Sequence, residues 1–326
     1  MAKLAARLSE LMAAGMDDLP RPGGGDTLRR WQALAEVAAE DVALAKLFEG
    51  HTDALAILAE CGGPRYEREA TWGTWAAEPP AARLSLRPAA AGVVLTGRKA
   101  WCSGAGALTH ALVTAWDPQG RQCLAAVALD HGSVAVTGDG WHAVGMGRVA
   151  SGDVLFDGTP AVPVGPPGGY TARPGFWQGG CGVAACWYGA ARPLADAVRA
   201  LVARRTEPHT AAHLGAIDVA MQRSRALLVD AARWIDRHPR ESAQQWALRV
   251  RGAAEATATE VLHAAGRALG AGPLCRDPAI AQRFADLPVF VRQSHAEQDL
   301  AVLGQLAAAG PGSDWALCRP HRGAPS

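Results

Sequence analysis

Residues 92–104 read GVVLTGRKAWCSG, a β-branched run closed by Gly97 and followed by a lysine, a tryptophan and a serine. Valine and threonine side chains suit a pleated surface, so the run reads as a strand that ends in a polar turn. Similar runs follow: HALVTAW at 110–116, CLAAVAL at 123–129, SVAVT at 133–137 and DVLF at 153–156. Most are bounded by Gly, Pro or Asp, and recurrence every ten to fifteen residues or so is the pattern of antiparallel sandwiches and barrels. Residues 71–165 therefore read as a β-domain.

On either side the period changes. Residues 28–61, LRRWQALAEVAAEDVALAKLFEGHTDALAILAEC, are rich in Ala and Leu with charges at helical intervals, and Gly62-Gly63-Pro64 ends them. They read as two helices. A loop carrying Pro20, Pro22 and Gly23 to Gly25 separates them from a short amphipathic start, giving a shortened N-terminal helical domain over 1–70. Downstream, Pro160 to Gly175 reads as a linker. Beyond it Leu214, Ile217, Met221, Leu228, Ala231 and Ile235 fall on one helical stripe, which needs partner helices. Further helices are expected over 182–204, 241–269 and 278–307, making 176–308 a four-helix bundle and 309–326 a tail. Pro193 should cause at most a kink.

The 326 residues are 49% hydrophobic with a formal net charge of +1. A core of useful size is possible, whereas the field is too weak to favour nucleic acid or an anionic membrane as partner. No uncharged apolar run is long enough to span a bilayer, and the start carries Lys3, Arg7 and Glu10 where a secretory leader would be apolar. A cytoplasmic location is expected. The seven cysteines are scattered without CxxC spacing and read as reduced, mostly buried thiols. His209 and His213 have the i, i+4 spacing of a zinc pair, but no HExxH accompanies them. Glu207 reads as a helix start, and no metal is assigned. Gly179-Gly180-Cys181-Gly182 precedes a helix without a strand before it, which favours a linker end over an anion site.

Helices, a small β-domain and then a helical bundle is the order of the acyl-CoA dehydrogenases, and several segments resemble theirs. Trp75-Ala-Ala-Glu78-Pro79 resembles the segment ending in Thr-Glu-Pro that opens that family's β-domain, although Pro80-Ala81-Ala82 replaces the usual Gly-Ser-Asp. Residues 97–104 are similar to Gly-x-Lys-x-Trp-Ile-Thr/Ser-Asn, whose aromatic covers the isoalloxazine and whose hydroxyl bonds near the flavin N5. Trp141 to Ser151, with Val154-Leu-Phe156, resembles the Trp-x-x-Gly-Met-x-x-Thr-x-Ser segment and its closing strand. In the bundle, Gly189-Ala-Ala looks like the small-residue pattern of the first helix. Arg204-Arg-Thr206 sits where an Arg-x-x-Phe-Gly arginine reaches the flavin pyrophosphate across a subunit boundary, here with Glu207-Pro208 for Phe-Gly. Ala268-Leu-Gly270-Ala-Gly272 and Arg283-Phe-Ala-Asp286 resemble the Gly-Gly-x-Gly and Arg-Asp segments. The resemblance implies an FAD site drawn from Trp75, Ala77, Trp101, Ser103, Arg204, Thr206 and Gly270, and a homodimer or homotetramer built through the last helices.

The same register addresses the chemistry. Acyl-CoA dehydrogenation needs a carboxylate that removes the proton α to the thioester. The usual position, eight residues past the Arg-Asp aspartate, falls on Ser294, and the alternative on the first bundle helix falls on Gly179. Neither is acidic, and Ser294, His295 and Glu297 are the nearest candidates, with His295 able to exchange protons near neutrality. Three functions stay open: a flavin oxidoreductase acting on an acyl thioester or related small molecule with a relocated base, a flavin monooxygenase on the same fold, and a non-catalytic descendant.

Overall fold

A computed structural model describes residues 1–205, 207–310 and 315. The N-terminal region consists of α1 (Ala2–Ala13), α2 (Thr27–Glu40) and α3 (Val42–Cys61). Only Asp41 separates α2 from α3. It takes an extended conformation, ending one helix, and its carboxylate accepts the N–H groups of Ala43 and Leu44 at 2.9 and 3.0 Å, starting the next. Gly62 closes α3 in the left-handed region at φ 70°.

Seven strands follow: β1 (Trp72–Trp75), β2 (Ser85–Ala89), β3 (Gly92–Lys99), β4 (His110–Trp116), β5 (Gln122–Ala128), β6 (Val134–Val136) and β7 (Val154–Pro163). Pairing runs β4-β2-β3-β7-β5 and returns from β5 to β4, so five strands close a barrel while β1 adds to β4 and β6 to β7. The central residues of β4, Ala111 to Ala115, are all buried because each face has an apolar neighbour. Ala111, Val113 and Ala115 join the main core, whereas Leu112 packs in a second cluster with Ile57 and Leu58 of α3 and with Trp72. That is why HALVTAW lacks the alternation of a half-exposed strand.

Three expectations need correction. Gly179 to Gly182, expected as a linker end, lie inside the helix Gly175–Arg204. The stretch Pro160–Pro163 belongs to β7, not to a linker. Between the pairing with β6, which ends at Phe156, and that with β5, which begins at Val162, one edge of β7 is open, and an open edge is where a sheet tolerates proline. The linker is correspondingly short, and it contains the single-turn α4 (Gly169–Ala172).

The bundle contains α5 (Gly175–Arg204), α6 (Pro208–Arg237), α7 (Gln244–Leu269), α8 (Ala271–Arg276), α9 (Pro278–Phe290) and α10 (Glu297–Ala309). Pro193 lies within α5 without ending it. Glu207 caps α6, accepting the N–H of His209 at 3.0 Å and of Thr210 at 2.5 Å. The helix expected over 278–307 is broken. Pro288 removes a donor near the end of α9, a 3-10 turn follows over Val291–Gln293, and Ala296 sits at φ 46°. Among the described residues no helix is long and apolar enough to cross a membrane, and the six cysteines are free.

Candidate functional site

The segments around Trp75, Ser103 and Ser151 meet at one end of the barrel. Trp75 closes β1 with its ring buried, and its indole N–H donates to the Ser103 carbonyl at 3.2 Å. Ser103 Oγ lies 2.7 Å from Ser151 Oγ. A hydroxyl has one donor and two acceptor sites, so this contact leaves one of the pair with an O–H to offer. Trp101 is held at φ 61°, the left-handed region that a tryptophan rarely adopts, by flanking bonds from Cys102 N–H to Gly152 O and from Gly104 N–H to Val149 O, both 2.9 Å. Its indole is 52% exposed and edge-on to Trp141 at 6.2 Å between centroids. An exposed aromatic plane beside a hydroxyl on a rigid strand end suits a flat heteroaromatic ring with a polar edge.

Lys99, which has no exposed surface, explains why Glu78 is present. Its ammonium donates to Glu78 Oε1 at 2.8 Å, to Thr114 O at 2.8 Å and to Thr114 Oγ1 at 2.7 Å, while Trp116 Nε1 donates to Glu78 Oε2 at 2.9 Å. Burial pulls the lysine pKa down, and Glu78 opposes that shift. This ion pair joins the 75–79 segment to the 97–104 segment and is structural.

The third similar segment, on α9, is a clasp. Asp286 accepts the Met146 N–H at 2.5 Å and the Gln282 amide at 2.8 Å. Arg283 donates to the carbonyls of Ala38, Ala39 and Glu40, the last acceptors of α2. Arg148 completes the tie with a bidentate pair to Asp41 at 2.6 and 2.8 Å.

The remaining predicted residues are spread more widely. Ala77 is exposed just after β1. Arg204 is exposed on the last turn of α5, Gly270 joins α7 to α8 at φ 65°, and Thr206 lies outside the described residues. Ala77, Arg204 and Gly270 are not hydrogen bonded to Trp75 or Ser103. Ser294 is nearly buried and its Oγ accepts the Ala296 N–H at 3.1 Å. His295 precedes α10 with 71% of its side chain exposed, 3.3 Å from the Asp299 carboxylate, and Glu297 is exposed on the first turn.

Asp53 is a residue that the sequence reading passed over. It lies on α3, and Lys46, Glu49, Asp53 and Glu60 share a helical stripe that normally reads as a solvent face. Here that stripe turns towards α5. A Cβ built on Gly179 would stand 3.1 Å from Asp53 Oδ1, and Gly175 leaves room for Glu60. Burial pushes the Asp53 carboxyl up, with Arg173 opposing and Glu49 reinforcing the shift. The signal available from sequence was the facing glycine series Gly175, Gly179 and Gly182, which has helical spacing but no meaning until α3 is known to pack there.

Neither a protein-family model nor a curated protein matches this sequence. Solved structures do. A dibenzothiophene monooxygenase, TdsC from Paenibacillus sp. A11-2 in complex with FMN and indole, superposes at TM-score 0.75 with 19% identity over 93% of this chain and 94% of its own. KijD3 in complex with FMN and a dTDP-linked amino sugar gives 0.77 with 21% identity over 93% and 86%. Butyryl-CoA dehydrogenase from Megasphaera elsdenii gives 0.78 with 16% identity over 92% and 89%. At these identities the likeness establishes the acyl-CoA dehydrogenase fold.

Proposed function

We propose that this chain, which has the fold of butyryl-CoA dehydrogenase and TdsC, is a flavin-dependent oxidoreductase acting on an acyl thioester or a related small molecule. The observation that carries the reading is the exposed Trp101, two residues before Ser103, whose hydroxyl lies 2.7 Å from that of Ser151 and whose carbonyl accepts the Trp75 indole N–H. Trp101 supplies a face for the ring system, and Ser103 supplies a hydrogen-bond donor to its edge. Arg204 is the cation assigned to the phosphates, and in that role it serves a second copy of the chain, so the working unit is a homodimer. FAD is the form the resemblance implies, whereas two of the similar structures contain FMN. A bound flavin of either kind accepts a hydride at N5 and, once reduced, reacts with oxygen.

A second reading, flavin monooxygenation, is favoured by one observation: neither Ser294 nor Gly179 provides a carboxylate, and His295 and Glu297 face solvent. An oxygen-transferring enzyme does not need an α-proton base.

Absorbance of the purified protein is the decisive test. Stoichiometric flavin bands, with extraction and chromatography to separate FAD from FMN, are the expected result. Anaerobic bleaching by acyl thioesters supports dehydrogenation, and oxygen uptake dependent on reduced flavin supports the second reading. A colourless protein that takes up neither added FAD nor FMN overturns both.

A further inference from the structure

Arg251 of α7 is a nearly buried cation that meets a carboxylate only at the limit of ion-pair distance. Its side chain is 13% exposed, and Asp299 Oδ2 stands 4.0 Å from its Nε, beyond hydrogen-bond reach. Among the described residues its five N–H groups make two hydrogen bonds, to Gln293 O at 2.8 Å and to Gly180 O at 3.5 Å. Burial works against the charge, and Asp299 is the largest group opposing that effect. A guanidinium held in this way has N–H groups to offer, and keeping it from water is costly until an anion completes the pair.

Two further observations put open space and unpaired polar atoms beside it. Gly180 lies on the face of α5 that carries Trp187, about two turns further on, and the guanidinium stands over that buried indole at 5.1 Å. A Cβ built on Gly180 meets nothing within 4 Å, so the missing side chain leaves a recess in the wall of α5 next to Arg251. Asp53 does not fill it, because Asp53 lies against Gly179, whose Cβ direction is about 100° away around the helix. Trp187 Nε1 and Gln293 Oε1, on two of the residues that Arg251 contacts, are buried without a partner. Gly180 and Gln293 also adjoin Gly179 and Ser294, the two positions where the register leaves no carboxylate. Here the chain presents a cation instead.

We propose that the recess between α5 and α7 binds the carboxylate of the small molecule on which this chain acts, with Arg251 as the residue that selects it. A carboxylate offers two coplanar oxygens to the fork of a guanidinium, a match that neither an amide nor an ester provides. The substrate class narrows accordingly to organic acids, including acyl groups that end in a free carboxylate. The inference rests on the proposed function only in calling the ligand a substrate, since binding at Arg251 requires no flavin.

The test uses straight-chain acids from propionate to octanoate, each against its own amide, titrated calorimetrically into the 326-residue chain. Acid and amide share a shape and differ in charge, so each pair isolates the ionic contact. At least one acid is expected to bind about 10-fold or more tightly than its amide, the size of one charge-assisted hydrogen bond. R251Q is expected to lose that ratio, and R251K to keep part of it as a point charge without the fork. G180L leaves the guanidinium in place, fills the recess and is expected to abolish binding of the acid. Thermal melts establish that the variants fold, and G180L decides if R251Q does not. A wild type that prefers no acid to its amide overturns the inference, as does a folded R251Q or G180L with the wild-type ratio. A protein that shows the preference but takes up no flavin keeps this site and loses the proposed function, whereas a flavin-loaded protein without the preference keeps the function and loses the site.

Discussion

The Asp286 carboxylate accepts the backbone N–H of Met146 at 2.5 Å, across 140 residues of sequence. The bond fastens the loop that carries Trp141 and Ser151 to α9, and Asp286 is 1% exposed. Met146 is at φ 58°, so the loop depends on this acceptor to stay in a sparsely populated conformation. Asp286→Ala strands a buried donor and breaks a hydrogen-bonded cluster, at an expected cost of about 2–4 kcal/mol. Denaturant melts of the variant against wild type measure it, and an unchanged midpoint contradicts the assignment.

Gly189 sets the spacing of α2 and α5. A Cβ there would overlap the Ala35 carbonyl oxygen and come within 2.5 Å of its Cα. These are backbone atoms, which cannot move aside as a side-chain end can. Gly189→Ala is therefore expected to destabilise by about 1–3 kcal/mol despite the better helix propensity of alanine. Thermal unfolding distinguishes the outcomes, since a gain in stability would mean that propensity dominates.

Ser103 is expected to tune a bound flavin without being needed to retain it. Loss of one hydrogen bond to the reduced ring is worth about 1–1.5 kcal/mol, or roughly 20–30 mV for a two-electron couple. Ser103→Ala should lower the midpoint potential by that amount with unchanged flavin stoichiometry. Dye-equilibration titrations provide the readout. Ser151→Ala should have a smaller effect, because the Ser151 hydroxyl lies 2.7 Å from that of Ser103 and would act only through it.

Asp17 predicts an acid limit. Burial alone would raise its pKa, but the His51 imidazole and the Arg68 guanidinium, bonded at 2.5 and 3.0 Å, outweigh burial and hold it well below the usual carboxylate range. A carboxyl depressed in the folded state contributes stability that is present above its unfolded pKa of about 3.9 and lost as pH falls through the folded value. Stability should thus be level above about pH 5 and decline below about pH 4. Arg68 is 59% exposed, so solvent screening keeps this contribution modest. In Asp17→Asn the acid-dependent part of the decline should shrink, as measured by urea unfolding between pH 3 and 7.

The order of helical, β and helical regions was legible because each period is a local property of the chain. HALVTAW became β4 over its full length, and residues 28–61 became α2 and α3 with a break at Asp41. Strands β1 and β2 were missed, since WGTW and SLRPA are too short and too interrupted to carry a period of two. The break at 291–296 was missed because a run of apolar residues around Pro288 retains helical spacing even where the backbone does not.

The sequence by itself determined the order of helical, β and helical regions, that the chain resembles a flavoprotein family, and that no carboxylate stands at Ser294 or Gly179. Tertiary structure alone decided that Lys99 serves Glu78, that Ser103 meets Ser151, and that the polar stripe of α3 faces glycines of α5 instead of solvent. The physical reason is distance along the chain. Periodicity reports a residue's immediate neighbours, whereas Asp53 and Gly179 become neighbours only when two helices far apart in sequence pack against each other.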